Sequence, residues 1–106
     1  MERKRFDLLA SKALERIEAE VAAIDDDRLD VELAGDVLTI GFADGTRFVL
    51  NAHGAAGQIW MAAERSAWHF DWDQASERWV AARSGAELRA TVMEAIGRRL
   101  GPAVAP

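Results

Sequence analysis

Cysteine is absent from the 106 residues. That excludes a disulfide, a thiolate zinc site, a thiol nucleophile and an iron–sulfur cluster held by the chain's own sulfur. Long apolar runs are also missing. None approaches the roughly 18 residues of a membrane span, and the start MERKRFDLLASK carries charges where a signal peptide needs an apolar stretch. The expectation is a cytoplasmic protein with no membrane partner. No nucleophile elbow, phosphate-binding glycine loop or HExxH motif is present, and no carboxylate pair is set against a recognisable pocket, which argues against an enzyme.

Basic residues are scarce in one place. Segment 15–36 holds nine acids against Arg16 and Arg28, a local charge of −7 in a chain of net −5. This distribution argues against nucleic acid and favours a cation or a basic partner.

With half its residues hydrophobic and only two prolines, the chain reads as one domain over 1–106. At this size a domain buries about two thirds of its extended surface, enough for one core without staples. Phe6, Leu9, Ala10, Ala13, Leu14, Ile17, Val21 and Ile24 recur at helical spacing. On that helix Glu15, Glu18, Asp25 and Asp26 fall on one side, away from the apolar stripe.

The middle of the chain changes period. Asp30–Leu33 alternates, Val37–Phe42 is β-rich, and Ala34–Gly35–Asp36 between them reads as a tight turn. Asp44–Gly45 sets a second hairpin into Thr46–Leu50. Residues 51–57 read as a loose connection, followed by strands around Gln58–Ala62, Trp68–Trp72 and Arg78–Ala81. Ser84 and Glu87 form a capping box, so a second helix is expected from Ser84 to about Gly101–Pro102. Helix, five or six antiparallel strands and helix make an α+β two-layer sandwich with both helices on one sheet face.

The acidic block is the first candidate site. Asp25, Asp26 and Asp27 are expected at the C-terminal end of the first helix, where the macrodipole disfavours a carboxylate by roughly 0.3–1 kcal/mol. Carboxylates kept in an unfavourable field suggest capture of a hard cation such as iron, manganese, magnesium or calcium. An open arrangement implies weak binding. Trp60 is the second candidate: alternation sends Ile59 and Met61 to the core and leaves Gln58, Trp60 and Ala62 on the face without helices, where an exposed Trp can anchor a protein partner. Trp68, Phe70, Trp72 and Trp79 are read as mostly core. His69 and Asp71 share a strand face and could chelate a metal, although a polar solvent face is the simpler reading, and His53 has no evident role.

Gly35–Asp36–Val37–Leu38–Thr39–Ile40, Asn51, Gln58–Ile59–Trp60, His69–Phe70–Asp71 and Arg83–Ser84–Gly85 stand in the order and spacing of the frataxin family. The chain resembles its short bacterial members from about Phe6 into the second helix. That resemblance implies weak iron binding, as Fe2+ or Fe3+, on a ridge carried here by Glu18, Asp25, Asp26, Asp27, Asp30 and Glu32. It also implies a partner-binding set on the sheet at Asn51, Gln58 and Trp60. The implied role is in iron–sulfur cluster assembly, with the cysteine desulfurase and the scaffold protein as partners and a monomer that iron could drive to associate. Ala22 and Ala23 stand where relatives commonly show acids, leaving fewer carboxylates for iron. The leading expectation is a non-enzymatic regulator docking through the ridge and Trp60; the alternative is an iron-storage or ferroxidase-like iron chaperone. A plain acidic interaction domain would show no preference for iron over magnesium.

Overall fold

A computed structural model describes residues 1–101. Helix α1 (Arg3–Ala22) is followed by β1 (Leu29–Ala34), β2 (Val37–Phe42), β3 (Arg47–His53), β4 (Gln58–Ala63), β5 (Ser66–Asp73) and β6 (Arg78–Ala81), and the order closes with α2 (Leu88–Leu100). The six strands form one antiparallel sheet in sequential order. Phe6, Leu14, Ile17 and Val21 from α1 and Leu88, Val92 and Ile96 from α2 join Leu38, Ile40, Phe48, Leu50, Ile59, Met61 and Phe70 in one buried cluster. Both helices therefore cover the same face of the sheet, as the apolar periodicity predicts, and the other face is left open.

Strand parity is as expected on β4, where Ile59 and Met61 are buried and Gln58, Trp60 and Ala62 turn to the open face. The aromatic residues divide differently from the expectation. Phe70 and Trp79 are core, with Trp79 set edge-on to Phe6 at 5.8 Å, but Trp68 and Trp72 are only half-buried at its margin. Trp72 borders a groove with Leu9 and Ala13 of α1 and Leu88 of α2, and Trp68 borders a hollow beside Ala95 of α2.

Three boundaries depart from the sequence reading. Helix α1 ends at Ala22 with Ala23 as its C-cap, so Asp25, Asp26 and Asp27 lie beyond the helix and do not extend the side occupied by Glu15 and Glu18. The segment expected to be loose is half strand: β3 continues through His53, which pairs with Gln58, and only Gly54–Gly57 turns. The φ of +66° at Gly57 suits glycine at that corner.

Helix α2 begins at Leu88 and not at Ser84. Gly85 has φ +76° and donates its N–H to Ala81, Ala81 donates to Ala86, and Val80 bridges to Glu87, so the chain is still tied to the sheet edge at the position expected to be helical. Glu87 is the N-cap, accepting from the N–H groups of Arg89 (2.8 Å) and Ala90 (3.0 Å), while Ser84 Oγ serves only a local turn at Ala86. Gly101 caps the far end of α2 with φ +75°, and Pro102, expected to help stop the helix, lies outside the described residues.

Candidate partner-docking and iron-binding surface

The acidic residues are delivered by three different local structures. Glu18 is half-buried on α1, Asp25, Asp26 and Asp27 belong to the turn leaving that helix, and Asp30 and Glu32, two apart on β1, share the open face of the sheet. Asp27, Asp30 and Glu32 line one concavity of about 410 Å³ with Thr39, Gly41 and Arg47. Gly41 sits between Asp30 and Arg47 in the register and supplies no side chain, which leaves the hollow. Glu18 and Asp25 do not line it.

Asp26 is committed elsewhere. Its carboxylate accepts from Arg28 at the backbone N (2.9 Å), at Nε (3.0 Å) and at Nη2 (2.8 Å). These bonds hold the Asp26 carboxyl down to about 2, with the Arg28 guanidinium the main cause. Arg28 Nη1 also donates to the carbonyl of Leu100 at the C-terminal end of α2, so the pair ties the exit of one helix to the negative end of the other.

The second cluster is centred on Trp60. Asn51 is its direct cross-strand partner on β3 and His69 its partner on β5. The indole is not a freely exposed anchor. His53 stacks on one face at 3.9 Å between centroids and His69 on the other at 4.4 Å, each within 12° of parallel. Trp60 is half-buried by these two imidazoles, so it presents its edge to solvent where the sequence suggested an exposed side chain.

Above the open face Trp60 Nε1 donates to Gln58 Oε1 at 2.8 Å, and Gln58 Nε2 donates to Asp71 Oδ1 at 3.0 Å. An indole N–H only donates and a carboxylate only accepts, which fixes the orientation of the amide between them. Asn51, Gln58 and Trp60 are thus brought together, with His53, His69 and Asp71 as neighbours to which the sequence reading gave no part in this cluster. Continuing the β3 alternation two residues past Asn51 would have placed His53 here. His69 and Asp71 are held apart in function: one stacks and the other accepts an amide.

Residues 1–102 match the family model described as a frataxin-like domain. The chain belongs to the frataxin family. Relatives in this family include the iron–sulfur cluster assembly protein CyaY of Dechloromonas aromatica, 42% identical over 105 residues and covering 98% of this chain and 97% of that one. The CyaY of Cupriavidus necator is 35% identical over 102 residues, covering 93% and 90%. A solved frataxin from Psychromonas ingrahamii superposes with a TM-score of 0.85 at 25% identity, over 93% of this chain and 91% of the other. The open-face helix–sheet sandwich is therefore the frataxin fold, reached here by a six-stranded meander.

The carboxylate hollow and the Trp60 cluster share the open face. Three strand steps separate β1 from β4, so the carboxylate hollow and Trp60 lie roughly 15 Å apart. Val37 and Val49 occupy the face between them. Among the described residues no three His, Asp or Glu side chains converge on a point where a metal ion could be held. Ala22 and Ala23 are exposed at the end of α1 and add no carboxylate. An ion at Asp27, Asp30 and Glu32 would therefore keep most of its water, and a hard cation bound in that way is held weakly.

Proposed function

We propose that this protein is a non-enzymatic, cytoplasmic regulator of iron–sulfur cluster assembly that docks on the cysteine desulfurase and its scaffold protein and carries iron weakly at the docking edge. The observation that carries this reading is the placement of a carboxylate hollow and a clamped tryptophan on one uncovered sheet face, in a chain whose relatives are named for cluster assembly. Asp25, Asp27, Asp30 and Glu32 supply charge to a basic groove and speed its encounter, while Asn51, Gln58 and Trp60 form the desolvated centre. Glu18 and Asp26 add negative charge from the same segment of the chain without lining the hollow, and Asp26 acts chiefly through its tie to Arg28.

Iron is cargo in this reading and a modulator of docking: an ion on the hollow neutralises the charge that the partner recognises, which couples affinity to iron supply. A storage or ferroxidase role requires preorganised paired metal centres, and a cluster for one such centre is not found among the described residues. The test is desulfurase turnover titrated with this protein, with and without iron. Turnover should change saturably, and Trp60→Ala and Asp30→Asn should each raise the concentration needed. Unchanged turnover at saturating protein overturns the proposal.

A further inference from the structure

The last two strands of the sheet differ in length. β5 has eight residues and β6 only four, and β6 pairs with Phe70–Asp73 alone. Ser66–His69 is therefore hydrogen-bonded to β4 on one side and makes no backbone hydrogen bond on the other among the described residues. Beyond Ala81 the chain folds into its own turn, with Ser84 and Gly85 donating back to Ala81, so it leaves this stretch uncovered. Open edges are ordinarily blunted by lysine or proline, and Ser66–Ala67–Trp68–His69 has neither.

We propose that the free half of β5 is a strand-addition site for an extended acidic segment of a partner protein. A strand entering where β6 stops would point successive side chains to opposite faces, and a cavity lies on each. On the open face a volume of about 560 Å³ is bounded by Ala67, His69 and the turn at Ala82–Arg83–Ser84. On the helix face about 420 Å³ lies among Ser66, Trp68, Ala95 and Arg98. Trp68 is half-buried and borders both.

Charge selects the occupant. Arg65, Arg83 and Arg98 border these cavities and make no ion pair among the described residues, whereas Arg99 is paired with Asp44. Glu64 and Asp71 also border them, and Asp71 already accepts from Gln58. The corner is left basic in a chain of net charge −5. A second copy of this chain pairing edge to edge would bring its own three arginines against these, which disfavours it. Acidic side chains on alternate positions of a partner strand meet Arg98 and Arg65 on one face or Arg83 on the other. The free stretch is about 13 Å long, room for a four-residue strand.

The inference uses neither the ridge carboxylates nor Trp60 and stands or falls apart from the proposed regulatory role. A fluorescein-labelled heptapeptide with Glu at every second position and Val or Thr between them is the probe. At low salt it should raise anisotropy saturably and slow amide exchange at Ser66–His69. Arg65→Glu and Arg98→Glu should each weaken binding at least fivefold, Asp30→Asn should leave it unchanged, and methylating alternate peptide amides should abolish it. The proposal is overturned by protection at Val49 and Trp60 in place of Ser66–His69, by unchanged affinity in both arginine variants, or by sedimentation showing that the edge is occupied by a second copy.

Discussion

The two faces of the sheet carry side chains of similar size to opposite ends. On the covered face Phe70 and Trp79 are buried in the apolar cluster that the helices share with the sheet. On the open face Trp60 is just as large, but it is flanked by imidazoles and hydrogen-bonded through Gln58 to a carboxylate. The first arrangement maximises area removed from water; the second orients one ring and keeps its edge available. A mid-sheet tryptophan can thus be held rigid without belonging to the core, and rigidity before docking reduces the entropy lost in binding.

Stability data should separate the faces most sharply. Trp79→Ala is expected to cost about 3–5 kcal/mol, because it empties a site enclosed by α1 and the sheet. Trp60→Ala should cost only about 1–2 kcal/mol, the worth of two stacked contacts, while weakening desulfurase association by at least about 30-fold. Urea midpoints and pull-downs on the same two variants check both. Equal destabilisation would show that the open face is as much core as the covered one.

Next in size is a division within the acidic turn. Asp26→Asn should lower the melting temperature, because it removes the negative charge facing the Arg28 guanidinium and replaces the Oδ2 acceptor of Arg28 Nη2 with an NH2 donor, leaving only Oδ1 to accept. Asp25→Asn and Asp27→Asn, exposed carboxylates in a negative segment, should leave it unchanged or raise it at low salt. Melting curves in dilute buffer decide the matter. A fall in all three would make the whole turn structural.

The same pair predicts a pH dependence. Asp26 and Asp44 are both held down to about 2 in the fold, against an ordinary value of 3.8, the latter by the backbone and side chain of Thr46 and then by Arg99. Below their ordinary value the unfolded chain binds more protons than the native one. Their contribution is complete above about pH 4 and is lost as pH falls toward 2. Chemical denaturation at steps across that window should show a loss that Asp26→Asn and Asp44→Asn each reduce.

The smallest effect concerns iron. NMR titration should broaden amides around Asp27, Asp30 and Glu32 at micromolar or weaker affinity, with Asp30→Asn weakening it further. Broadening first at His53 and His69 would move the site to the Trp60 cluster. Raising salt should weaken partner association throughout, since charges on this face are screened over about 8 Å at physiological ionic strength.

Much of this was legible in the order of residues. Apolar spacing from Phe6 to Val21 marked α1, because a helix that covers a sheet must repeat its buried side chains every three or four positions. Alternation around Ile59 and Met61 set which way Trp60 points, since a strand can send only every second side chain inward. Glycine with aspartate at positions 35–36 and 44–45 marked two of the hairpins.

What the sequence could not deliver depended on residues distant along the chain. Ser84 and Glu87 satisfy a capping pattern, yet the hydrogen bonds from Ala81 and Gly85 and the bridge to Val80 hold that stretch at the sheet edge and delay the helix by a turn. The three aspartates look alike in sequence, but only Asp26 finds Arg28, and only Asp27 joins the hollow beside Asp30 and Glu32. His53 reads as a loop residue until the β3–β4 register carries it onto Trp60. Periodicity and turn chemistry are local, so the chain alone determined the elements, their inward faces and the acidic balance of one end. Ring stacks, the committed carboxylate, the hollow over Gly41 and the uncovered half of β5 arise from register and strand length across neighbouring segments, and only the assembled sheet could decide those.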